Sequence, residues 1–191
     1  PHHLGHTPGG SSSGSAAAVA DGMLPLALGT QTASSIIRPA AYCGVVGYKP
    51  SWGRVSRAGV KSLSETLDTV GGFGRSVRDV ALLGSVLLGD ARLAALAHDP
   101  AGQAPRIGMC RTPQWAQADA DTQAAWSAAA RALSPQAAEL AEVALPDGLG
   151  DLIELQKQVM AFETARALSH ERVHHRDRLS ERLRTLLDEG L

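Results

Sequence analysis

The chain is poor in several of the features that most often place a sequence. Only three of its eighteen basic residues are lysine (Lys49, Lys61 and Lys157), and just 4% of its 191 residues are aromatic. With alanine abundant, this reads as the mutational bias of a GC-rich bacterial genome and says little about chemistry. Eighteen Lys+Arg stand against nineteen Asp+Glu, a formal net charge of −1. That balance excludes a global basic field, so neither nucleic acid nor an anionic membrane is an expected partner. Cysteine is limited to Cys43 and Cys110, which excludes a disulfide framework and fits a reducing compartment. There is no long apolar run: the most hydrophobic stretch, Ala16 to Leu28, is interrupted by Asp21 and Pro25 and is too short to span a bilayer. The opening residues do not read as a signal peptide. A soluble cytoplasmic α/β protein is the expectation.

What is present is ample core material, 44% hydrophobic residues with 19% charged, which argues against intrinsic disorder. The Gly/Ser run Gly9-Gly10-Ser11-Ser12-Ser13-Gly14-Ser15 leads straight into Ala16-Ala17-Ala18-Val19-Ala20, a strong helix former with serines placed to cap its start. Leu24 to Leu28 and Val45 to Tyr48 read as buried strands, with a loop from Gly29 to Ala41 between them. Val77, Val80, Ala81, Gly84, Leu87 and Leu88 share one helical stripe, with Ser76 as N-cap and Gly89 as stop. A strand at 106–110, a helix at about 119–133 and a strand near 140–145 form a βαβ unit over about 104–146, which calls for parallel pairing. The remainder, about 150–190, reads as helical with a break near 177–180. The chain opens without an initiator Met and closes on a helix with a glycine cap, and both ends read as cut from a longer chain.

Two serine clusters carry the chemistry. The first, Gly9 to Ser15, taken alone could be a flexible linker, a phosphate loop or a plain capped helix start; no Gly-Lys-Ser/Thr follows it to support phosphate binding. The second is Gly29-Thr30-Gln31-Thr32-Ala33-Ser34-Ser35-Ile36-Ile37-Arg38-Pro39-Ala40-Ala41. Read together with Cys43-Gly44-Val45-Val46-Gly47-Tyr48-Lys49-Pro50, Gly53-Arg54-Val55-Ser56-Arg57 and Leu67-Asp68-Thr69-Val70-Gly71, they resemble the amidase signature family over about residues 5–83. The resemblance implies that residues 1–191 are an internal segment of a single amidase signature domain. It also implies that domain's α/β fold, a mixed central sheet flanked by helices, of which only part is present.

The same resemblance implies a serine hydrolase. Ser35 is the implied nucleophile and Ser11, which in the family follows a cis peptide bond, the implied relay; a lysine completes a Ser-Ser-Lys triad. A serine hydroxyl needs a base to take its proton, an effect typically worth about 10²- to 10⁴-fold. Backbone N–H groups of Thr32, Ala33, Ser34 and Ser35 would form the oxyanion hole. The implied activity is hydrolysis of a linear carboxylic amide, a small-molecule substrate, through an acyl-enzyme on Ser35, with no cofactor and no metal. A glutaminase subunit of a tRNA-dependent amidotransferase is the alternative with the same chemistry. A catalytically inactive fragment or scaffold is the alternative of another class, and a homodimer is a possible assembly.

Several residues depart from the family's pattern or compete with it. Gln31 stands where the usual loop has Asp, Ala33-Ser34 where it has Gly-Gly, and Arg38 lies one position later. Ser34 adds a side chain that could narrow the oxyanion hole. The lysine base of the family lies upstream of the first cluster, and Lys49, Lys61 and Lys157 match no such position; the segment alone is therefore expected to be inactive. His170-Glu171-Arg172-Val173-His174 matches a zinc-protease pattern literally, but in arginine-rich, amphipathic surroundings. Cys43 reads as core, and Arg172, Arg176, Arg178, Arg182 and Arg184 as a solvated face.

Overall fold

The computed structural model describes residues 2–96, 103–146 and 148–191. In chain order the elements are α1 (Ser13–Ala20), β1 (Leu26–Gln31), α2 (Ile37–Cys43), β2 (Val46–Tyr48), β3 (Thr69–Gly74), α3 (Val77–Leu88), α4 (Arg92–Leu96), β4 (Arg106–Met109), α5 (Ala120–Leu133), β5 (Glu139–Glu142), α6 (Leu152–Ala167), α7 (Ser169–His174) and α8 (Glu181–Glu189). They form two compact units, residues 1–99 with 156–191, and residues 100–155. The α/β class expected from the sequence is what the chain adopts. Among the described residues no helix is long and apolar enough to cross a membrane.

The first unit is built on a three-stranded sheet of order β1-β3-β2, with both neighbours antiparallel to β3. β3 is a strand that alternation could not reveal: Thr-Val-Gly-Gly-Phe-Gly is buried at all six positions, and half of it is glycine. The glycines are there because other backbone comes too close for a side chain. A Cβ on Gly71 would sit 2.1 Å from the Tyr48 carbonyl oxygen. Gly71→Ala is therefore expected to force the β2–β3 pairing apart and cost about 1–3 kcal/mol, measured as a lower urea midpoint.

The core of this unit joins α1, α2 and β3 through Ala16, Val19, Ile36, Ala40, Cys43 and Phe73. Ile36 and Phe73 are fully buried, and each contributes about 1.5–3 kcal/mol by leaving water. Cys43 is a core residue, as its apolar surroundings indicate. α3 begins at a capping box, in which Ser76 Oγ accepts from Asp79 N–H and the Asp79 carboxylate from Ser76 N–H, and it ends on left-handed Gly89. α1 differs from the expectation. Its serines do not cap it; Ser12 Oγ donates instead to the Thr30 carbonyl at 3.2 Å, tying the helix start to β1. The segment read as loop from Gly29 to Ala41 is also more ordered, since β1 runs on to Gln31 and α2 starts at Ile37.

In the second unit β4 and β5 pair in parallel, Arg106 opposite Glu139 and Met109 opposite Glu142, with α5 as the crossover. Asp119 caps α5 by accepting from Thr122 N–H at 2.7 Å. Trp126 of α5 packs against Trp115 with ring centroids 5.2 Å apart, and Arg111 lies over both rings.

Candidate active site

The two serine clusters, distant from each other in sequence, meet at the sheet's edge. The Gly10–Ser11 peptide is cis. The next residue, Ser12, donates its N–H to the Ser35 carbonyl at 3.2 Å, so the segment that leads into α1 lies against the loop between β1 and α2. Gly9 allows this approach: its φ is +80°, and a Cβ there would stand 3.1 Å from the Cα of Pro39. Ser11 and Ser35 line one cavity of about 240 Å³ together with Thr30, Thr32 and Ala33. Val60, Leu63, Val70 and Met160 form its apolar wall, and Arg57 and Lys61 also border it.

The loop that carries Ser35 is held from two sides. On one side, Gln31 Oε1 accepts from Ile36 N–H at 2.9 Å and Ile37 N–H at 3.0 Å, while Nε2 donates to the Ala33 carbonyl at 2.8 Å. On the other side, Thr32 Oγ1 donates to Asp68 Oδ1 at 2.6 Å. The second oxygen of Asp68 accepts from Ser62 Oγ at 3.2 Å, Leu63 N–H at 2.7 Å and Ser64 N–H at 3.0 Å. A carboxylate that is only 8% exposed is thus satisfied by four donors rather than by a cation. Among the described residues the backbone N–H groups of Ala33, Ser34 and Ser35 donate to no acceptor. Hydrogen-bond donors left open beside a cavity are what a developing oxyanion needs.

The 60–68 segment is in turn fastened to α6. Glu163 accepts from Ser64 Oγ at 2.5 Å, Thr66 N–H at 3.1 Å and Thr66 Oγ1 at 2.9 Å. Burial pushes the Glu163 carboxyl up, but the hydrogen bonds from Ser64 and Thr66 outweigh it and hold it below its ordinary value. The folded protein therefore binds this proton less tightly than the unfolded chain does. The resulting stabilisation is complete above the ordinary glutamate range, about 4.3, and is lost as the pH falls through the lower folded value. Glu163→Gln is expected to flatten the acid limb of a stability-versus-pH curve, measured by denaturant midpoints between pH 7 and pH 3.

The Amidase family model matches residues 1–190. The chain belongs to the amidase signature family. It is 44% identical over 159 residues to a subunit of the Glutamyl-tRNA(Gln) amidotransferase from Roseiflexus castenholzii, covering 76% of this chain and 32% of that protein. An amidase crystal structure superposes with a TM-score of 0.83 at 34% identity, over 96% of this chain and 41% of that one. The peptide amidase of Stenotrophomonas maltophilia superposes with a TM-score of 0.77 at 30% identity, over 100% of this chain and 45% of its own. The chain thus spans less than half the length of the relatives it matches.

Within the amidase signature family, the structure accounts for two of the departures. Gln31, in place of the usual Asp, supplies the donor to the Ala33 carbonyl that a carboxylate lacks. The Ser34 hydroxyl, in place of a glycine hydrogen, accepts from the Arg38 guanidinium at 2.5 Å. Of the lysines, Lys49 Nζ donates to the Pro50 carbonyl at 2.7 Å. Lys61 borders the cavity with its ammonium paired to Glu171. Hydrogen bonding to Lys61 lowers the Glu171 pKa. The His170 and His174 rings meet with centroids 4.9 Å apart and planes tilted by 45°. Asp68 and Glu163 went unassigned at the level of sequence. An acid inside the apolar Leu67-Asp68-Thr69-Val70 run was the one available signal for Asp68; nothing in the helical pattern of α6 marks Glu163.

Proposed function

We propose that this chain carries the nucleophile half of an amidase that hydrolyses linear carboxylic amides. The observation that carries the reading is the shared cavity of Ser11 and Ser35, beside a loop whose N–H groups at Ala33, Ser34 and Ser35 lack acceptors. Ser35 Oγ adds to the amide carbon. Its proton passes through Ser11 to a base, and the carbonyl oxygen, now an anion, is met by N–H groups among Thr32, Ala33, Ser34 and Ser35. Collapse breaks the C–N bond, with the proton delivered to the leaving nitrogen, and water then releases the acid from the Ser35 ester. The base is assigned to the lysine of the family's triad, which none of Lys49, Lys61 and Lys157 represents. Residues 1–191 by themselves are accordingly expected to turn over no amide.

The 44% identity to an amidotransferase component favours a second reading, in which the amide is glutamine and the ammonia is passed on to a partner protein. One assay separates the two. The longest natural gene product containing these residues is incubated with hydroxylamine and either a simple primary amide or glutamine. Hydroxamate from the simple amide supports an acyl-enzyme amidase, hydroxamate from glutamine alone supports the glutaminase reading, and hydroxamate from neither contradicts both.

A further inference from the structure

Three charged residues line the cavity shared by Ser11 and Ser35: Arg57, Lys61 and Asp68. The acid is already satisfied, since both of its oxygens accept from Thr32 and from residues 62–64. The two cations are matched only from outside. Arg57 donates one N–H to Glu65 at 2.5 Å and Lys61 is paired with Glu171, but neither glutamate lines the cavity. Glu65 is 71% exposed and the Arg57 side chain only 22%, so water screens the acid far more than the guanidinium. The remaining N–H groups of Arg57 donate to no acceptor among the described residues. A guanidinium with open donors, beside an apolar wall and with no free acid in the cavity, favours a negative charge there.

We infer that the amide taken by this site carries a carboxylate at the end away from the scissile bond, held by the Arg57 guanidinium with the Lys61 ammonium as a second, outer cation. The planar fork of arginine matches a carboxylate and gains much less from a neutral group. Lys61 contributes less, because its side chain is 61% exposed and already paired. The apolar wall of Val60, Leu63, Val70 and Met160 suits methylene groups joining the two ends. At about 240 Å³ the cavity is smaller than the roughly 300–1,000 Å³ of drug-sized sites, so that chain is short. The chemical class is a monoamide of a small dicarboxylic acid, which the side-chain amide of glutamine also satisfies. The inference rests on the chemistry proposed for Ser35, and its test separates the two.

Two matched pairs, offered to the longest natural chain containing these residues, make the test: succinamate against succinamide, and glutamine against its α-amide. Within each pair the size is kept and one negative charge is lost. The expected result is a kcat/KM about 10²-fold higher for the acid in at least one pair, the scale of a hydrogen bond to a charged group. Preference within the succinamate pair alone assigns a simple dicarboxylic monoamide; preference within the glutamine pair alone assigns an amino-acid amide. In Arg57→Met, which keeps a long apolar stem, the ratio falls to within about threefold of one, whereas Lys61→Met lowers it only a few-fold. A wild-type ratio within about threefold of one in both pairs overturns the inference and leaves the hydrolase reading standing. A preference that survives Arg57→Met overturns the assignment to Arg57. Calorimetry on Ser35→Ala gives a readout free of catalysis and of any change at Arg57: it binds the acid at least about tenfold more tightly than its amide partner. If wild type turns over none of the four compounds, that margin upholds the anion site while the hydrolase reading falls; equal affinities overturn the inference.

Discussion

Ser35→Ala is expected to lower amide hydrolysis by at least about 10⁴-fold in the natural chain containing these residues, since loss of a nucleophile leaves only binding and oxyanion stabilisation. The fold should hardly change. Ser35 enters the loop's hydrogen bonding through its backbone carbonyl, which accepts from Ser12 N–H, and alanine preserves that bond. Kinetics with a chromogenic amide, alongside a thermal melt, reads both. Ser34→Ala is the internal control. Its hydroxyl is engaged by Arg38 on the loop's outer side, so activity should fall by no more than a few-fold. A loss of activity in Ser34→Ala that matched Ser35→Ala would shift the proposed register of the loop by one residue.

Asp68→Ala is the substitution expected to damage stability most. It strips the acceptor from Thr32 Oγ1, Ser62 Oγ, Leu63 N–H and Ser64 N–H at one stroke. Hydrogen bonds to a charged group contribute about 1.5–3 kcal/mol each, and stranded buried donors add their own desolvation cost. These terms do not sum, but a loss on the order of 3 kcal/mol or more follows. That is a large share of the roughly 5–15 kcal/mol that holds a typical protein folded. Asp68→Asn should recover much of it. Its amide oxygen can take the place of Oδ2 toward residues 62–64, and its NH₂ can face Thr32, whose hydroxyl can accept as well as donate. Urea midpoints of the two variants give the comparison. An alanine variant as stable as wild type would mean that the four donors find solvent or other acceptors without loss.

How far the sequence alone reached varied with the kind of signal. α3 was legible because the apolar stripe of Val80, Gly84 and Leu87 coincides with a capping box at Ser76 and a glycine stop at Gly89. α5 was placed over about 119–133 as the middle of the βαβ unit, and the structure adds Asp119 as its cap. β3 was not, because a strand buried on both faces loses the period-two alternation, and the close backbone approach that calls for Gly71, Gly72 and Gly74 leaves no mark in a local pattern. In the site, the serine clusters stood out by residue type and spacing. The supports did not. Gln31 read as a departure until its two-ended hydrogen bonding was seen, and Glu163 acts on the loop across 97 to 99 positions of sequence, a distance at which no local pattern operates.

The central claim is that Ser35 is an activated nucleophile. The most direct measurement is the intact mass of the longest natural chain containing these residues, before and after a fluorophosphonate probe, with Ser35→Ala and Ser11→Ala beside it. The expected result is one adduct on the wild type, mapped by peptide mass to Ser35, absent from Ser35→Ala and formed far more slowly in Ser11→Ala. A wild-type protein that is folded and takes up no label, or an adduct that persists in Ser35→Ala, would contradict it.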